Sequence, residues 1–178
     1  MTGIRFAMDR SRGSRRVSVR RPDRVVAAPV ALMRDDMPSA SNTVTIRRTP
    51  AEVFAFIADG TNAPRWRSGV LDVALESGGG LGARYRQGVK CPGGRRIAAD
   101  YEITTHEPNR RLGFMATAGP VRPRGEFILV PDGDATVLTF ALEAELPFLK
   151  RIVMGRAVQT TMDAEVASLE KLRGVLEA

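Results

Sequence analysis

Residues 43–70 read TVTIRRTPAEVFAFIADGTNAPRWRSGV and carry the strongest local signals in the chain. The first residues alternate between polar and apolar side chains, which predicts a short strand. A helix follows, because Thr49 is a favourable N-cap and Glu52, three residues later, completes a capping box. Gly60 is a typical helix terminator, and a second, shorter helix then carries Trp66. This stretch predicts one strand followed by two short helices.

The middle of the chain alternates between apolar and polar side chains in segments that turn residues separate. The segments are 70–75, 82–89, 95–105, 111–118, 126–130 and 136–146. Together with the first strand they predict an antiparallel sheet of about seven strands, with one face buried and one face wet.

A helix of up to about 30 residues follows Pro147. Its apolar positions are spaced by three and four, as expected for one buried face. These positions are Met154, Val158, Thr161, Met162, Leu169, Leu172 and Leu176. The first turn is out of phase with them, and Gly155 lies at the phase change, where we expect a kink or a short break. A sheet with one long helix gives an α+β class.

Three motifs resemble the START-like superfamily, also called SRPBCC. They are the T-P-x-x-V-F-x-x-I-x-D helix starting at Thr49, the N-x-P-x-W segment ending at Trp66, and the E-P-N-R-R-L segment starting at Glu107. This superfamily includes polyketide cyclases and dehydrases and lipid-transfer proteins. The resemblance covers residues 43–177 and implies a helix-grip fold, in which a curved antiparallel sheet wraps around a long C-terminal helix. It also implies a ligand cavity between sheet and helix, but no particular chemistry, because a fold does not define a function.

The positive charge of the chain is concentrated in its N-terminal part. The formal net charge is +7, and residues 1–40 hold nine Arg and four Asp, which leaves +2 for the remainder. A nucleic-acid-binding domain would carry a basic face on the folded part. The composition therefore predicts no specific nucleic-acid partner.

Residues 1–42 are interpreted as a disordered Arg-rich tail and linker, and residues 43–178 as one ligand-binding domain. We expect residues 1–40 to be dispensable for folding. Two Arg at 15–16 precede an apolar run at 25–33, a pattern that resembles an export signal. Pro29 interrupts that run and charged residues follow it directly. The prediction is a cytoplasmic protein without a membrane span.

The chain has one cysteine, Cys91, and one histidine, His106. A single chain therefore has no intrachain disulfide and no two-histidine metal centre. We predict no metal and no cofactor. His106 is expected at an exposed turn, and Cys91 in an exposed Pro-Gly-Gly hairpin. No catalytic residue is recognisable.

The predicted ligand-binding residues lie on the inward faces of the strands and on the helix stripe. They are Trp66, Tyr85, Tyr101, Phe114, Phe140, Met154, Val158, Met162 and Glu165. Trp66 either closes a cavity entrance or anchors the core under the short helices. Each tyrosine either offers its hydroxyl to a ligand or is a buried ring bonded to backbone or water.

Glu165 stands out because it falls in the middle of the apolar stripe of the long helix. It is therefore expected to point toward the cavity or its mouth. One interpretation is a polar anchor or proton carrier for the ligand. The alternatives are a structural pair with an inward Arg, or a side chain that reaches solvent past the helix edge.

Three functions remain open. The first is binding of a hydrophobic small molecule, such as a lipid or a polyketide-like compound, by a monomer or homodimer. The second is a cyclase or dehydrase type of enzyme in the same cavity. The third is a protein-interaction module without a ligand. A cavity with buried ionisable groups favours the enzyme, a wholly apolar cavity favours binding, and a filled core favours the interaction module.

Overall fold

The computed structural model describes residues 37–90, 94–146 and 148–178, of which residues 148–154 are described by their backbone only. The helices are α1 Pro50–Ala58, α2 Ala63–Trp66, α3 Phe148–Ala167 and α4 Leu169–Glu177, with a 3₁₀ turn, Gly60–Asn62, between α1 and α2. The strands are β1 Ser39–Ile46, β2 Val70–Ser77, β3 Arg84–Lys90, β4 Arg96–Ala98, β5 Tyr101–Glu107, β6 Arg111–Ala116, β7 Pro123–Asp132 and β8 Ala135–Ala144.

These strands form one curved antiparallel sheet in the order β1-β8-β7-β6-β5-β3-β2, with β4 paired to β3. The first and last strands of the chain are neighbours, because β1 pairs with β8 over its whole length, from Ser39 opposite Glu143 to Ile46 opposite Thr136. The helices cover one face of the sheet. This is the helix-grip fold that the sequence predicts.

The start of α1 is as predicted from its sequence. The Thr49 hydroxyl oxygen accepts a hydrogen bond from the backbone N–H of Glu52, and the Glu52 carboxylate accepts one from the backbone N–H of Thr49 at 2.8 Å. The Thr49 hydroxyl and the Thr49 backbone N–H both donate to the Glu52 carboxylate, and these hydrogen bonds lower the pKa of Glu52. The cap fixes the helix so that Val53, Phe54 and Ile57 are buried against the sheet.

The core lies between the short helices and the middle strands. Trp66 packs edge-on against Phe127 and Phe140, whose rings are stacked 4.2 Å apart on the neighbouring strands β7 and β8. Val53 and Leu138 are fully buried beside them. At about 25 cal/mol per Å² of apolar area removed from water, such aromatic side chains dominate the stability of the core.

The single strand predicted over residues 95–105 is two strands, β4 and β5. The pairing of β3 changes partner at this point, because Tyr85 lies opposite Tyr101 of β5, whereas Val89 lies opposite Ile97 of β4. The carboxylate of Asp100, between the two strands, accepts a hydrogen bond from the backbone N–H of Gln87 at 2.9 Å. A side chain thus occupies the place of a backbone partner, which interrupts the strand.

His106 lies within β5 and not at an exposed turn as predicted. It is half-buried, and its ring packs edge-on against Phe54 of α1 at 5.2 Å. Cys91 lies outside the described residues. Strand β7 begins at Pro123, earlier than the predicted start at residue 126.

The break in the C-terminal helix is at Ser168, whereas α3 continues through Gly155 without interruption. The Ser168 hydroxyl and backbone N–H both donate to the carbonyl oxygen of Glu165. Helix α4 then starts afresh and buries Leu169 and Leu172 completely. The phase change at Gly155 therefore does not mark the end of a helix.

Strand β1 begins at Ser39, so residues 39–42 belong to the sheet and not to a linker. Ala40 is buried, and Gln159 of α3 bonds the backbone of Ser39 on both sides, accepting at 3.2 Å and donating at 2.7 Å. The carbonyl of Pro38 accepts a hydrogen bond from the backbone N–H of Ala144. The tail at residues 1–36 lies outside the described residues, and its disorder stays a prediction.

We expect a chain beginning at Met37 to melt within about 2 °C of the full chain, since none of the contacts above is lost. A chain beginning at Thr43 loses half of the β1 pairing and should melt at least several degrees lower. Thermal unfolding of the three chains by circular dichroism checks this. Equal melting temperatures for the chains starting at 37 and 43 would show that the first half of β1 does not contribute to the stability of the fold.

Candidate functional site

A cavity of about 390 Å³ lies between the sheet and α3. Small-molecule sites in proteins span roughly 300–1,000 Å³, so this volume is at the lower end of that range. The sheet side is mostly apolar and includes Val89, Ile103, Leu112, Phe114 and Phe127. The helix side is formed by Ala157, Val158, Thr161, Met162 and Glu165 of α3.

Most of the predicted ligand-binding residues lie in the wall of this cavity. They are Trp66, Tyr101, Phe114, Val158, Met162 and Glu165. Trp66 is only 3% exposed and packs in the core, which is the second of its two predicted roles, and it also lines the cavity. Met154 lies in α3, but its side chain is not among those described.

Phe140 and Tyr85 do not line the cavity, contrary to the prediction. Phe140 faces inward, yet Trp66 and the stacked ring of Phe127 cover it, and it is fully buried. The ring of Tyr85 is covered by that of Tyr101, and its hydroxyl donates to the carbonyl of Ala58 at 3.4 Å. Strand alternation identifies the inward face but not the part of that face that helices cover.

The stacked pair of Tyr85 and Tyr101 packs directly against Gly60, with the two rings 5.0 Å apart. A Cβ at Gly60 would lie 2.7 Å from the ring of Tyr85 and would overlap the Tyr101 hydroxyl. Burial raises the pKa of Tyr101, although the charge of Arg67 opposes this. Tyr101 is therefore a neutral O–H group at physiological pH, held beside the turn between α1 and α2.

A second close approach involves Gly125, which lies opposite Phe114 on the neighbouring strand. A Cβ at Gly125 would overlap the ring of Phe114. The ring of Phe114 therefore lies directly over Gly125, in the space that a side chain at this position would occupy. In the sequence, Gly125 has no signal beyond its position before an alternating strand.

Arg67 and Glu165 form an ion pair in the wall of the cavity, between the guanidinium Nε and a carboxylate oxygen. The two side chains are only 15% and 21% exposed. Arg67 directly follows Trp66, and its guanidinium carbon lies 5.8 Å from the indole centroid. Glu165 therefore faces the cavity, as predicted. It also forms a structural pair with an inward Arg, which was one of the alternatives. The partner, Arg67, was not predicted.

Gln87 is a polar wall residue that the sequence did not reveal. It is 4% exposed and lies on the inward face of β3 between Tyr85 and Val89. Its amide nitrogen donates to the carbonyl of Ala99 at 3.3 Å. Its amide oxygen is the buried side-chain atom that has no hydrogen-bond partner among the described residues. Leaving such an acceptor unpaired costs about 1–3 kcal/mol.

Among the residues that the structure describes, no group of three or more His, Cys, Asp or Glu is arranged to hold a metal ion. No helix in the described part of the chain is long and apolar enough to cross a membrane.

The chain matches the family model described as polyketide cyclase / dehydrase and lipid transport over residues 37–174. It belongs to this family. The match begins two residues before β1. No curated protein sequence matches the chain.

Solved structures with the same fold include a START superfamily protein from Mycobacterium smegmatis, 20% identical with a TM-score of 0.61 over 78% of this chain and 97% of that one. The Zhui aromatase/cyclase from Streptomyces sp. R1128 is 20% identical with a TM-score of 0.63, over 79% and 94%. The di-domain ARO/CYC StfQ of the steffimycin biosynthetic pathway is 11% identical with a TM-score of 0.69, over 81% of this chain and 52% of that one. At these identities the likeness shows the fold alone.

The contact at Gly60 predicts that Gly60→Ala destabilises the protein by about 1–3 kcal/mol, because the added methyl group forces the tyrosine pair to move. For a chain of this size that lowers the melting temperature by roughly 2–4 °C for each kcal/mol. Gly79→Ala is the matched control, since a Cβ there meets no atom within 4 Å. Thermal unfolding of the two variants should separate them, and equal melting temperatures would contradict the close approach.

The ion pair predicts that Arg67→Met and Glu165→Leu are each destabilising, because each leaves the opposite charge without its partner in a largely buried place. The double variant should lose less stability than the two single losses add up to, with a coupling energy of about 1–3 kcal/mol. Denaturant unfolding of the four proteins measures this.

The control for that cycle is the pair Arg124 and Glu145, which is 66% and 69% exposed at 3.5 Å. An exposed pair couples by about 0–1 kcal/mol. If the Arg67 and Glu165 cycle gave no larger coupling than this control, the pair would be a surface contact without a structural role.

Proposed function

We propose that this protein binds a hydrophobic small molecule in the cavity between the sheet and α3. The observation that carries the proposal is a cavity of about 390 Å³ with a wall that is mostly aliphatic and aromatic. Apolar walls with a few placed polar groups are typical of small-molecule sites. The family description, with its lipid transport and polyketide cyclase members, supports a ligand of this class.

The third function, a protein-interaction module without a ligand, requires a filled core. The space under α3 is not filled by the described side chains, which favours a ligand over this alternative. The out-of-phase first turn of α3, residues 149–153, is the surface that such a module would use, and its side chains are not among those described.

The second candidate function is an enzyme of the cyclase or dehydrase type. The observation that favours it is the presence of Arg67, Glu165 and Tyr101 in one cavity wall. A neutral tyrosine hydroxyl can donate to a carbonyl oxygen, and a carboxylate can accept a proton from a carbon acid beside it. A cavity that holds a reactive chain in one conformation can orient it for ring closure. Mass spectrometry of a synthetic linear poly-β-ketone incubated with and without the protein separates this candidate from binding alone. Such chains also cyclise spontaneously, so an enzyme is shown by a cyclised or dehydrated product that forms faster than in the protein-free control.

Binding is tested with prodan, a neutral naphthalene dye whose fluorescence depends on the polarity of its surroundings. We expect saturable binding to the full chain. Val158→Trp should weaken it at least tenfold, because the indole occupies the cavity from the buried face of α3. Thr160→Trp is the matched control, since Thr160 is exposed on the same helix and does not line the cavity.

Both variants must first show the same cooperative unfolding as the parent chain. A folded Val158→Trp protein that binds prodan as tightly as the Thr160→Trp protein would place the dye outside the cavity. Absence of saturable binding by the parent chain would contradict the proposed function for a ligand of this size.

A further inference from the structure

Strand β2 is one edge of the sheet, with β3 as its neighbour on the other side. Among the described residues, the backbone of residues 71–77 forms hydrogen bonds with no element other than β3. Register shifts between Val70 and Asp72 and between Leu75 and Ser77 bound a short regular stretch, residues 72–75. An open edge with regular backbone is a template on which another strand can pair.

The hydrogen bonds of β3 show which groups of β2 face the open edge. The N–H and carbonyl of Gln87 bond Asp100 and Ala99 on the far side of β3. In an antiparallel ladder both backbone groups of a residue point to the same side. Val73 lies opposite Gln87, so its own N–H and carbonyl point away from β3. Leu75, two residues further on, has the same orientation.

The side chains along this edge are apolar. Val73 and Leu75 lie on the inward face of the sheet, because Gln87 and Tyr85 opposite them do. Leu75 is 49% exposed, and Leu71, at the first register shift, is 47% exposed. Natural proteins often protect an open edge with lysine or proline, and β2 contains neither.

The sequence of β2 is complementary to itself about Val73. When a second copy pairs antiparallel with Val73 opposite Val73, the open backbone groups of both residues bond each other. Leu75 then lies opposite Leu71 of the second copy. A register centred one residue later would place Asp72 opposite Glu76, and like charges directly opposite are destabilising. The charges therefore favour the register centred on Val73.

The outer face of the edge supports the same register. Arg86 of β3 lies opposite Ala74, and it forms no ion pair among the described residues. With Val73 at the centre, Asp72 of the second copy comes to lie on the other side of Ala74. Arg86 and that carboxylate are then two strand spacings apart, about 10 Å between backbones, with only a small side chain between them. The two charges are opposite in sign, so the face is complementary to its own copy.

We propose that this protein forms a two-fold symmetric homodimer in which the β2 strands of two copies pair antiparallel about Val73. The two sheets become one continuous sheet. Each copy uses the same edge, so the assembly closes at two copies. A pairing over so few residues is a small interface, which makes the dimer a weak and reversible one. The proposal is independent of the ligand in the cavity.

Sedimentation velocity of the full chain, from micromolar to millimolar protein, tests the association. We expect a reversible monomer–dimer equilibrium. Leu75→Lys should weaken it at least about tenfold, because the lysine brings a charge into the paired edge. Leu81→Lys is the matched control, since Leu81 is 68% exposed and lies outside β2. This control should associate like the parent chain.

Both variants must unfold with the same cooperativity as the parent chain, as expected for side chains that are half-exposed or more. A parent chain that stays monomeric over the whole range of concentration overturns the proposal. Equal association of folded Leu75→Lys and Leu81→Lys proteins overturns it as well, since the copies then meet at another surface.

Disulfide cross-linking tests the register in a chain that carries Cys91→Ser, which removes the single native cysteine. Val73→Cys places two thiols across the two-fold axis, where the Cα atoms of a hydrogen-bonded pair are about 5.5 Å apart, within disulfide range. Ser77→Cys is the control, because its two copies lie about 27 Å apart at about 3.4 Å per residue. Mild oxidation should cross-link the first chain and not the second. Equal cross-linking of the two, or faster cross-linking of the second, overturns the register. Sedimentation of the parent chain stays decisive if Val73→Cys does not fold.

Discussion

The contact of Trp66 with the stacked rings of Phe127 and Phe140 fixes the short helices on the sheet. Trp66 is 3% exposed, so this anchor is part of the core. Six residues before it, Gly60 meets the tyrosine pair, and directly after it Arg67 meets Glu165 of α3. The position of one aromatic side chain thus sets both polar features that border the cavity.

The inward face of the sheet is divided between a filled part and an open part. The short helices and α4 cover the filled part, where Phe140, Leu138 and Leu172 are fully buried. Helix α3 spans the open part, and there Phe114 and Ile103 face the cavity. Since cores are packed to the density of organic crystals, a volume of about 390 Å³ that the described side chains leave unfilled is large for a packing defect.

The sequence predicted well whatever depends on local chemistry or on periodicity. The capping box at Thr49, the inward face of each long strand and the inward direction of Glu165 follow from neighbours within a few residues. Prediction from the sequence failed where a feature depends on contacts between segments that are distant in the chain. Neither the cover that Trp66 and Phe127 place over Phe140 nor the partner that Arg67 gives to Glu165 has a local signal. The break at Asp100 and the orphaned oxygen of Gln87 arise from a change of strand partner, which alternation alone does not show.

The polar groups of the cavity differ in how far the protein itself satisfies them. Arg67 and Glu165 neutralise each other, and burial keeps Tyr101 as an uncharged O–H group. The amide nitrogen of Gln87 is hydrogen-bonded, and its buried amide oxygen has no partner among the described residues. The wall therefore presents little net charge, which disfavours ionic ligands more strongly than neutral ones. The proposed function, binding of a hydrophobic small molecule, is consistent with such a wall.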